Sequence, residues 1–237
     1  MLPIQQGAVR NQLLQSLSAV EFALLQADLE HGSHEQGAVM EAPGETITHV
    51  YFPEPGMVSV VASTPSGTQL EAGIIGPEGM TGLAVLNGVD RSPHATFVQI
   101  PCRAFRIEIT AFNNAIRTSR PLHDRFLLYA QAFSVQLAYT VLCNGQFTID
   151  QRLARWVLMS HDRADREDLP LTHEFLSLML GVRRAGVTTA LRSLEGTSAI
   201  KARYGGLTIR DRNMLLDRAG DGYGATEGEY ARIMAPS

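Results

Sequence analysis

The apolar positions of this chain change period twice. From Glu45 to Ile109 they come as short runs of β-branched and aromatic residues, Ile47 to Phe52, Met57 to Ser63, Gln69 to Ile75, Thr96 to Ile100 and Ala104 to Ile107, divided by proline and glycine turns. Short strands with regular punctuation predict an antiparallel sandwich or jelly-roll β-barrel. Before them, Leu13, Leu14, Leu17, Val20, Phe22, Leu24 and Leu25 predict one or two short helices packed on that barrel. From Pro121 to Asn144 the period becomes helical. Leu122, Phe126, Tyr129, Phe133, Leu137 and Val141 recur three or four residues apart, and Pro121 suits a first turn. Such a seam can pack on its own barrel or meet a two-fold mate as in a coiled coil, and the second reading is favoured.

The stretch from Leu171 to Asp211 predicts two short helices and a hairpin. Thr172 can cap the first helix, Phe175, Leu176, Met179 and Leu180 follow at helical spacing, and Gly181 ends it. In the second helix Val187, Leu191 and Leu194 share one face, with Arg184, Thr188 and Arg192 displaced from it. Arg183 and Arg184 sit where the helix dipole disfavours cations. Gly186 adds a propensity cost of roughly 1 kcal/mol relative to alanine. Arginines at a helix's leading end can reach guanine edges or phosphates in a major groove, which gives these costs a purpose. Ile200 to Ala202 and Leu207 to Ile209 flank Tyr204-Gly205-Gly206 as the wing of a winged helix-turn-helix, with Lys201, Arg203 and Arg210 on or beside it.

Charge divides the chain in the same way. Of its 237 residues, 1–110 carry four basic and eleven acidic groups, whereas 151–218 carry twelve and eight, so the overall charge of −4 hides a basic back half suited to nucleic acid. The N-terminus lacks a basic region followed by an apolar core, and no apolar run approaches 18 residues, so a cytoplasmic protein without a membrane segment is expected. Cys102 and Cys143 are far apart and read as small buried hydrophobes; an iron–sulfur cluster needs about four thiolates. The seven histidines leave haem ligation open, though no pair has a diagnostic setting, and His31-Gly-Ser-His34-Glu35 reads as a polar surface loop rather than a metal site. Leu153, Trp156, Val157 and Leu158 read as core at a domain junction, and Arg152 and Arg155 as a solvated face or partners of Asp162 and Asp165. Asn144 and Asp150 bracket the expected hinge, and the segment from Arg218 to Ser237 reads as a loosely held end. No catalytic serine triad, Walker loop, dinucleotide fingerprint or metal-cupin constellation is present, and an enzyme is not expected.

The order barrel, long helix, winged helix-turn-helix resembles the Crp/Fnr family of bacterial transcription regulators. The segments VYFPEPGMVSVV, GIIGPEGMTG, LCNGQFTIDQRLARWVLMSHDR and LTHEFLSLMLGVRRAGVTTAL are similar to a proteobacterial subgroup of it. The resemblance implies an α+β chain with a cyclic-nucleotide-binding-like barrel at 1–120, a dimerisation helix at 121–146, the winged module at 147–218 and a tail at 219–237. It implies a homodimer on palindromic double-stranded DNA, with residues 173–180 as supporting helix and 184–195 as recognition helix. Arg183, Arg184, Thr188, Thr189 and Arg192 then fall on the DNA-meeting positions, with Lys201 and Arg203 on phosphates and Arg184 reading a base. Family members that bind cyclic nucleotide hold its phosphate with a Gly-Glu pair and an Arg-Ser pair. Here the corresponding effector pocket would be drawn from Gly76, Glu78, Gly79, Met80, Arg91 and Ser92. His94-Ala95 stands where Arg-Ser belongs and Arg91-Ser92 lies three residues early, so cyclic AMP binding is not expected. The glycines Gly73, Gly76, Gly79 and Gly82 are then tight barrel turns. An activator would also touch RNA polymerase, by a surface with no readable code. The rival readings are a ligand-sensing or protein-docking module of this fold that no longer binds DNA, and a barrel enzyme with an accessory domain.

Overall fold

The computed structural model describes residues 4–235. A single 3₁₀ turn, Gln6–Ala8, leads into α1 (Gln12–Gln15) and α2 (Ala19–Gln26). Seven strands follow: β1 (Glu30–His34), β2 (Val39–Glu41), β3 (His49–Pro53), β4 (Met57–Ser63), β5 (Gln69–Ile75), β6 (Ala95–Ile100) and β7 (Cys102–Glu108), with the short helix α3 (Leu83–Leu86) between β5 and β6. They pair antiparallel in two sheets, β1-β7-β3 and β2-β6-β4-β5. Val50, Phe52, Phe105 and Ile107 of the first sheet and Val58, Ile75 and Val98 of the second share one core, the expected alternation of a jelly roll. β1 has no signature in the sequence because Glu-His-Gly-Ser-His carries no apolar side chain. It is a polar edge strand on β7, so His31 and His34 belong to a strand and not to a surface loop.

After α4 (Ile109–Thr118), the helix α5 runs over Arg120–Gln146, its first turn capped by the Ser119 hydroxyl and carrying Pro121. Leu122, Phe126, Tyr129 and Phe133 are all buried in the sheets' core. The aromatic seam expected to meet a second copy therefore packs on its own barrel, because the two sheets leave a broad apolar opening that only large rings fill. A different row faces outward: Leu128, Gln131, Val135, Ala138, Leu142 and Gly145 follow one another at intervals of three and four. Leu128 and Leu142 are 41% and 49% exposed, and neighbouring Val141 73%. With both faces apolar, α5 contains an 18-residue stretch long and apolar enough, by length and composition, to cross a membrane. Burial of its aromatic face in the barrel supplies another account of that composition.

Phe147 and Thr148 turn the chain into α6 (Ile149–Ala164), which Thr148 and Gln151 start with a reciprocal capping box. The rest of the module is β8 (Asp168–Leu169), α7 (His173–Leu180), α8 (Arg184–Gly196), β9 (Ile200–Arg203), β10 (Gly206–Ile209) and α9 (Arg212–Ala219), with strand order β8-β10-β9. Its core, built on Leu153, Trp156, Leu176, Val187, Leu191 and Leu207, extends to Met57, Ile74 and Ile100 on the outer face of the barrel's larger sheet. Phe175 of α7 and Phe97 of β6 meet with ring centroids 6.3 Å apart. The module is thus docked on the barrel and not tethered beside it.

The segment after residue 218 is not a loose end. Past a 3₁₀ turn at Gly220–Gly222, α10 (Ala225–Ile233) lies along α5, with the Tyr230 hydroxyl donating to the Glu78 carbonyl at 2.8 Å and Arg125 donating to that of Met234 at 2.9 Å. Met234 enters the barrel core. Tyr230, Ile233 and Met234 provide the apolar anchors that its glycine-rich, acidic composition concealed. Pro236 and Ser237 lie outside the described residues, as do Met1 to Pro3.

Candidate nucleic-acid interface

Local sequence builds the helix-turn-helix. The Thr172 hydroxyl accepts from the Phe175 amide to start α7, and Gly181 ends it in the left-handed region at φ 62°. Val182 leads to Arg183, whose extended backbone makes it the N-cap of α8 with no side-chain capping bond. Val187, Ala190, Leu191 and Leu194 are buried against the module, and this leaves Arg184, Thr189 and Arg192 on the solvent side with Thr188 half-buried. Gly186 faces Val182 across the turn, where a methyl group would stand 3.3 Å from its side chain. Close packing of the turn on the first turn of α8, more than the DNA surface, accounts for this glycine.

Few of the cations are held by partners. Arg184 comes no nearer than 4.0 Å to Glu174, and both side chains are about as exposed as surface groups become. Such a contact contributes little and yields readily to a phosphate. Thr188 and Thr189 donate their hydroxyl hydrogens to the carbonyls of Arg184 and Ala185 one turn earlier, leaving their methyl groups and oxygen lone pairs for a base edge. In the wing Lys201 is exposed, Arg203 leans on Asp168 at 3.6 Å, and Tyr204 stands fully exposed at the tip. Gly206 packs on the Leu169 carbonyl too closely for any side chain, which presses the wing onto β8. The result is a row of cations on rigid backbone, able to meet phosphates and base edges.

Several of the six residues read as an effector pocket have partners of their own. Glu78 turns to α6, where it accepts from Arg163 Nε at 2.7 Å and forms an ion pair with Nη2 at 2.6 Å. Met80 is buried in the barrel core. Arg91 is exposed beside Asp90 at 3.8 Å, and Ser92 is buried with its hydroxyl accepting from the His94 amide. The glycines of this stretch also do other work than expected. Of the four, only Gly82 has the left-handed backbone of a turn; Gly73, Gly76 and Gly79 let the chain press against Phe133, Arg163 and Tyr129.

Arg155 and Arg163 of α6 are interior and Arg152 is half-buried, not the solvated face that their spacing suggests. Arg155 is 1% exposed, lies over the Trp156 ring and donates to Thr140, and Arg152 bonds the Leu180 carbonyl at the end of α7. Asp162 and Asp165 pair instead with Arg212 and Arg10. Burial lowers the affinity of both Arg152 and Arg155 for their protons. Arg163 faces the same desolvation, but the charges of Glu78, Asp162 and Glu227 more than offset it. A run of arginines among apolar residues, three and eight apart, is the available signal; only the second packed surface shows that they are interior. Cys102 and Cys143 are free and buried, and burial with the nearby Glu54 charge pushes the Cys102 thiol up to about 12. No group of three His, Cys, Asp or Glu among the described residues could hold a metal ion.

Residues 151–218 match the Crp-like helix-turn-helix domain. No curated protein matches the chain in sequence. Among solved structures, FixK2 from Bradyrhizobium japonicum superposes with a TM-score of 0.68 at 16% identity, over 81% of this chain and 98% of that one. A transcriptional regulator of the CRP family from Thermus thermophilus gives 0.66 at 19% identity, over 82% and 99%. The c-di-GMP-responsive global regulator CLP of Xanthomonas campestris gives 0.66 at 14%, over 81% and 99%. The architecture is that of the Crp/Fnr regulators, from barrel to wing.

Proposed function

We propose that this chain, which has the Crp/Fnr regulator fold and a Crp-like helix-turn-helix domain at 151–218, is a homodimeric, sequence-specific transcription regulator. The observation that carries the reading is the exposed, loosely partnered row Arg183, Arg184 and Arg192 on a helix whose other face is locked in the module core. In this reading α8 enters a major groove, Lys201 and Arg203 of the wing hold phosphates, and two-fold symmetry sets half-sites roughly 34 Å apart. A cytoplasmic location and a surface for RNA polymerase belong to the same reading. The engagement of Glu78 by Arg163, with His94-Ala95 where Arg-Ser belongs, supports regulation without cyclic AMP, and no metal or haem is invoked.

Selection of duplexes from a random library with purified protein tests it: a palindromic consensus is expected, and no enrichment would favour the docking module. Arg184→Ala should then cost on the order of 1–3 kcal/mol and relax specificity at one position, while Lys201→Ala should weaken every sequence evenly and shallow the salt dependence. Equal loss at every position on Arg184→Ala would remove its base-reading role.

The outward row of α5 is the proposed dimer seam. Val135→Glu together with Leu142→Glu should give a monomer by sedimentation, since the seam would bury two facing pairs of like charges. Phe133→Ala should instead cost about 3–5 kcal/mol of stability and leave the dimer intact, because that ring lies in the barrel core. Dissociation by Phe133→Ala alone would return the seam to the aromatic face.

A further inference from the structure

A cavity of about 330 Å³ lies where the barrel, α5, α6 and the C-terminal segment meet, and the DNA-reading surface makes no use of it. Its volume is at the small end of the range for small-molecule sites. Ala132 and Phe133 of α5 and the rings of Tyr129, Tyr223 and Tyr230 provide apolar wall, and the polar groups can be accounted for one by one. Arg163 directs Nε and Nη2 at Glu78 and one Nη1 hydrogen at the Met159 carbonyl, so its charge is already engaged by a carboxylate. Both oxygens of Asp162 are taken, by Arg212 and by the Tyr223 hydroxyl. Glu227 uses Oε2 on the Gly224 amide and the Thr226 hydroxyl.

Among the lining's buried and half-buried acceptors and hydroxyls, three are left over. Oε2 of Glu78 and Oε1 of Glu227 accept nothing, and the Tyr129 hydroxyl, on a side chain 2% exposed, completes no hydrogen bond although the Met80 amide is near. An occupant must therefore offer donors to two carboxylate oxygens, a donor or an acceptor to a hydroxyl that can play either part, and an apolar body to the rings. An anion would face the free oxygens of two carboxylates, while a cation gains charge-assisted hydrogen bonds to both and the company of the aromatic rings. We propose that this cavity is a binding site for a small organic cation, an amine or amidine with a planar apolar body. Because one wall is α5 and the facing one comes from α6 and the segment after α9, an occupant fixes the angle of the DNA-reading module against the long helix. That coupling rests on the transcription-regulator reading, whereas the binding does not.

Calorimetric titration of the full chain with phenethylamine, and with phenylacetate as the matched anion, tests the site. Binding of the amine in the millimolar range or tighter is expected, with no heat from phenylacetate. Glu227→Gln keeps a capping acceptor for α10 but removes its charge and should weaken the amine about tenfold. Tyr129→Phe removes a hydroxyl that completes no hydrogen bond, so the variant should fold normally and bind several-fold more weakly. Ala132→Leu should fill the space and abolish binding. No heat from the amine, equal affinity for phenylacetate, or undiminished affinity in both Tyr129→Phe and Ala132→Leu overturns the site. The titration contains no DNA, so failure to read DNA would leave a positive result standing. Amine binding that leaves affinity for a selected duplex unchanged would overturn the coupling alone.

Discussion

Arg163→Met should lower the free energy of unfolding by about 3–5 kcal/mol, the cost of leaving one half of a buried ion pair without the other. Arg163 is 8% exposed and joins three parts of the molecule: Glu78 in the loop after β5, the Met159 carbonyl within α6, and, through its backbone carbonyl, the Gly56 amide before β4. Methionine fills much the same space, so the loss is electrostatic more than steric. What remains is a carboxylate facing the packed side of α6 and a helix carbonyl without its side-chain donor. Urea denaturation followed by circular dichroism measures the change. The double variant Arg163→Met, Glu78→Leu should recover part of it, because an apolar pair of similar volume removes the stranded charge. A single variant within about 1 kcal/mol of the parent protein would show that solvent reaches this pair more freely than its geometry suggests.

The stability of the native protein should fall as pH rises from about 5 to 8, and Glu71→Gln should flatten that slope. Glu71 of β5 is fully buried on the outer face of the barrel's larger sheet, where desolvation pushes its carboxyl from 4.5 up to about 8 against the opposing effects of the Ser59 hydrogen bond and the Arg155 and Arg163 charges. Hydrogen bonding argues for the same protonated state. Ser59 Oγ lies 2.7 Å from Glu71 and 2.5 Å from Gln99 Oε1, while the Gln99 nitrogen is turned to Met179 Sδ. A hydroxyl has one hydrogen and Gln99 Oε1 can only accept, so the Glu71 carboxyl must supply the other. The folded chain thus binds this proton more tightly than the unfolded chain. The stabilisation is complete below about pH 4.5 and is lost as pH climbs through about 8. The shift corresponds to a few kcal/mol, on the scale of roughly 1.4 kcal/mol per pKa unit. Glutamine supplies the same donor without an ionisable proton, so Glu71→Gln should gain most at alkaline pH. Parallel pH profiles for the two proteins, by urea denaturation, would show that Glu71 is ionised in the native state. Since Ser59, Glu71 and Gln99 face the side of the sheet on which α7 docks, alkaline pH acts first where the DNA-reading module meets the barrel.

How much of this was legible in the chain depends on whether local patterns suffice. The strands Met57–Ser63 and Gln69–Ile75 were readable to the residue, because β-branched runs between glycine and proline leave few alternatives. The same holds for α7 and α8, where Thr172, Gly181 and the 3.6-residue period mark starts, stops and inner faces. The polar edge strand β1 and the two-residue β8 were not readable, since their pairing partners, β7 and β10, define them.

The candidate interface divides in the same manner. Local sequence determined the cationic helix, the Thr172 cap of the helix before it and the glycine-bounded turn between them, because helix propensity, capping and periodicity act over one or two turns. Which side of α5 is left outward, whether Arg155 and Arg163 meet solvent or protein, where Glu78 turns, and that the last helix returns to cover α5 were decided only by the tertiary structure. Each depends on a surface brought from elsewhere in the chain, and an apolar seam or an arginine has the same local signature whether that surface belongs to its own barrel, to a second copy or to water.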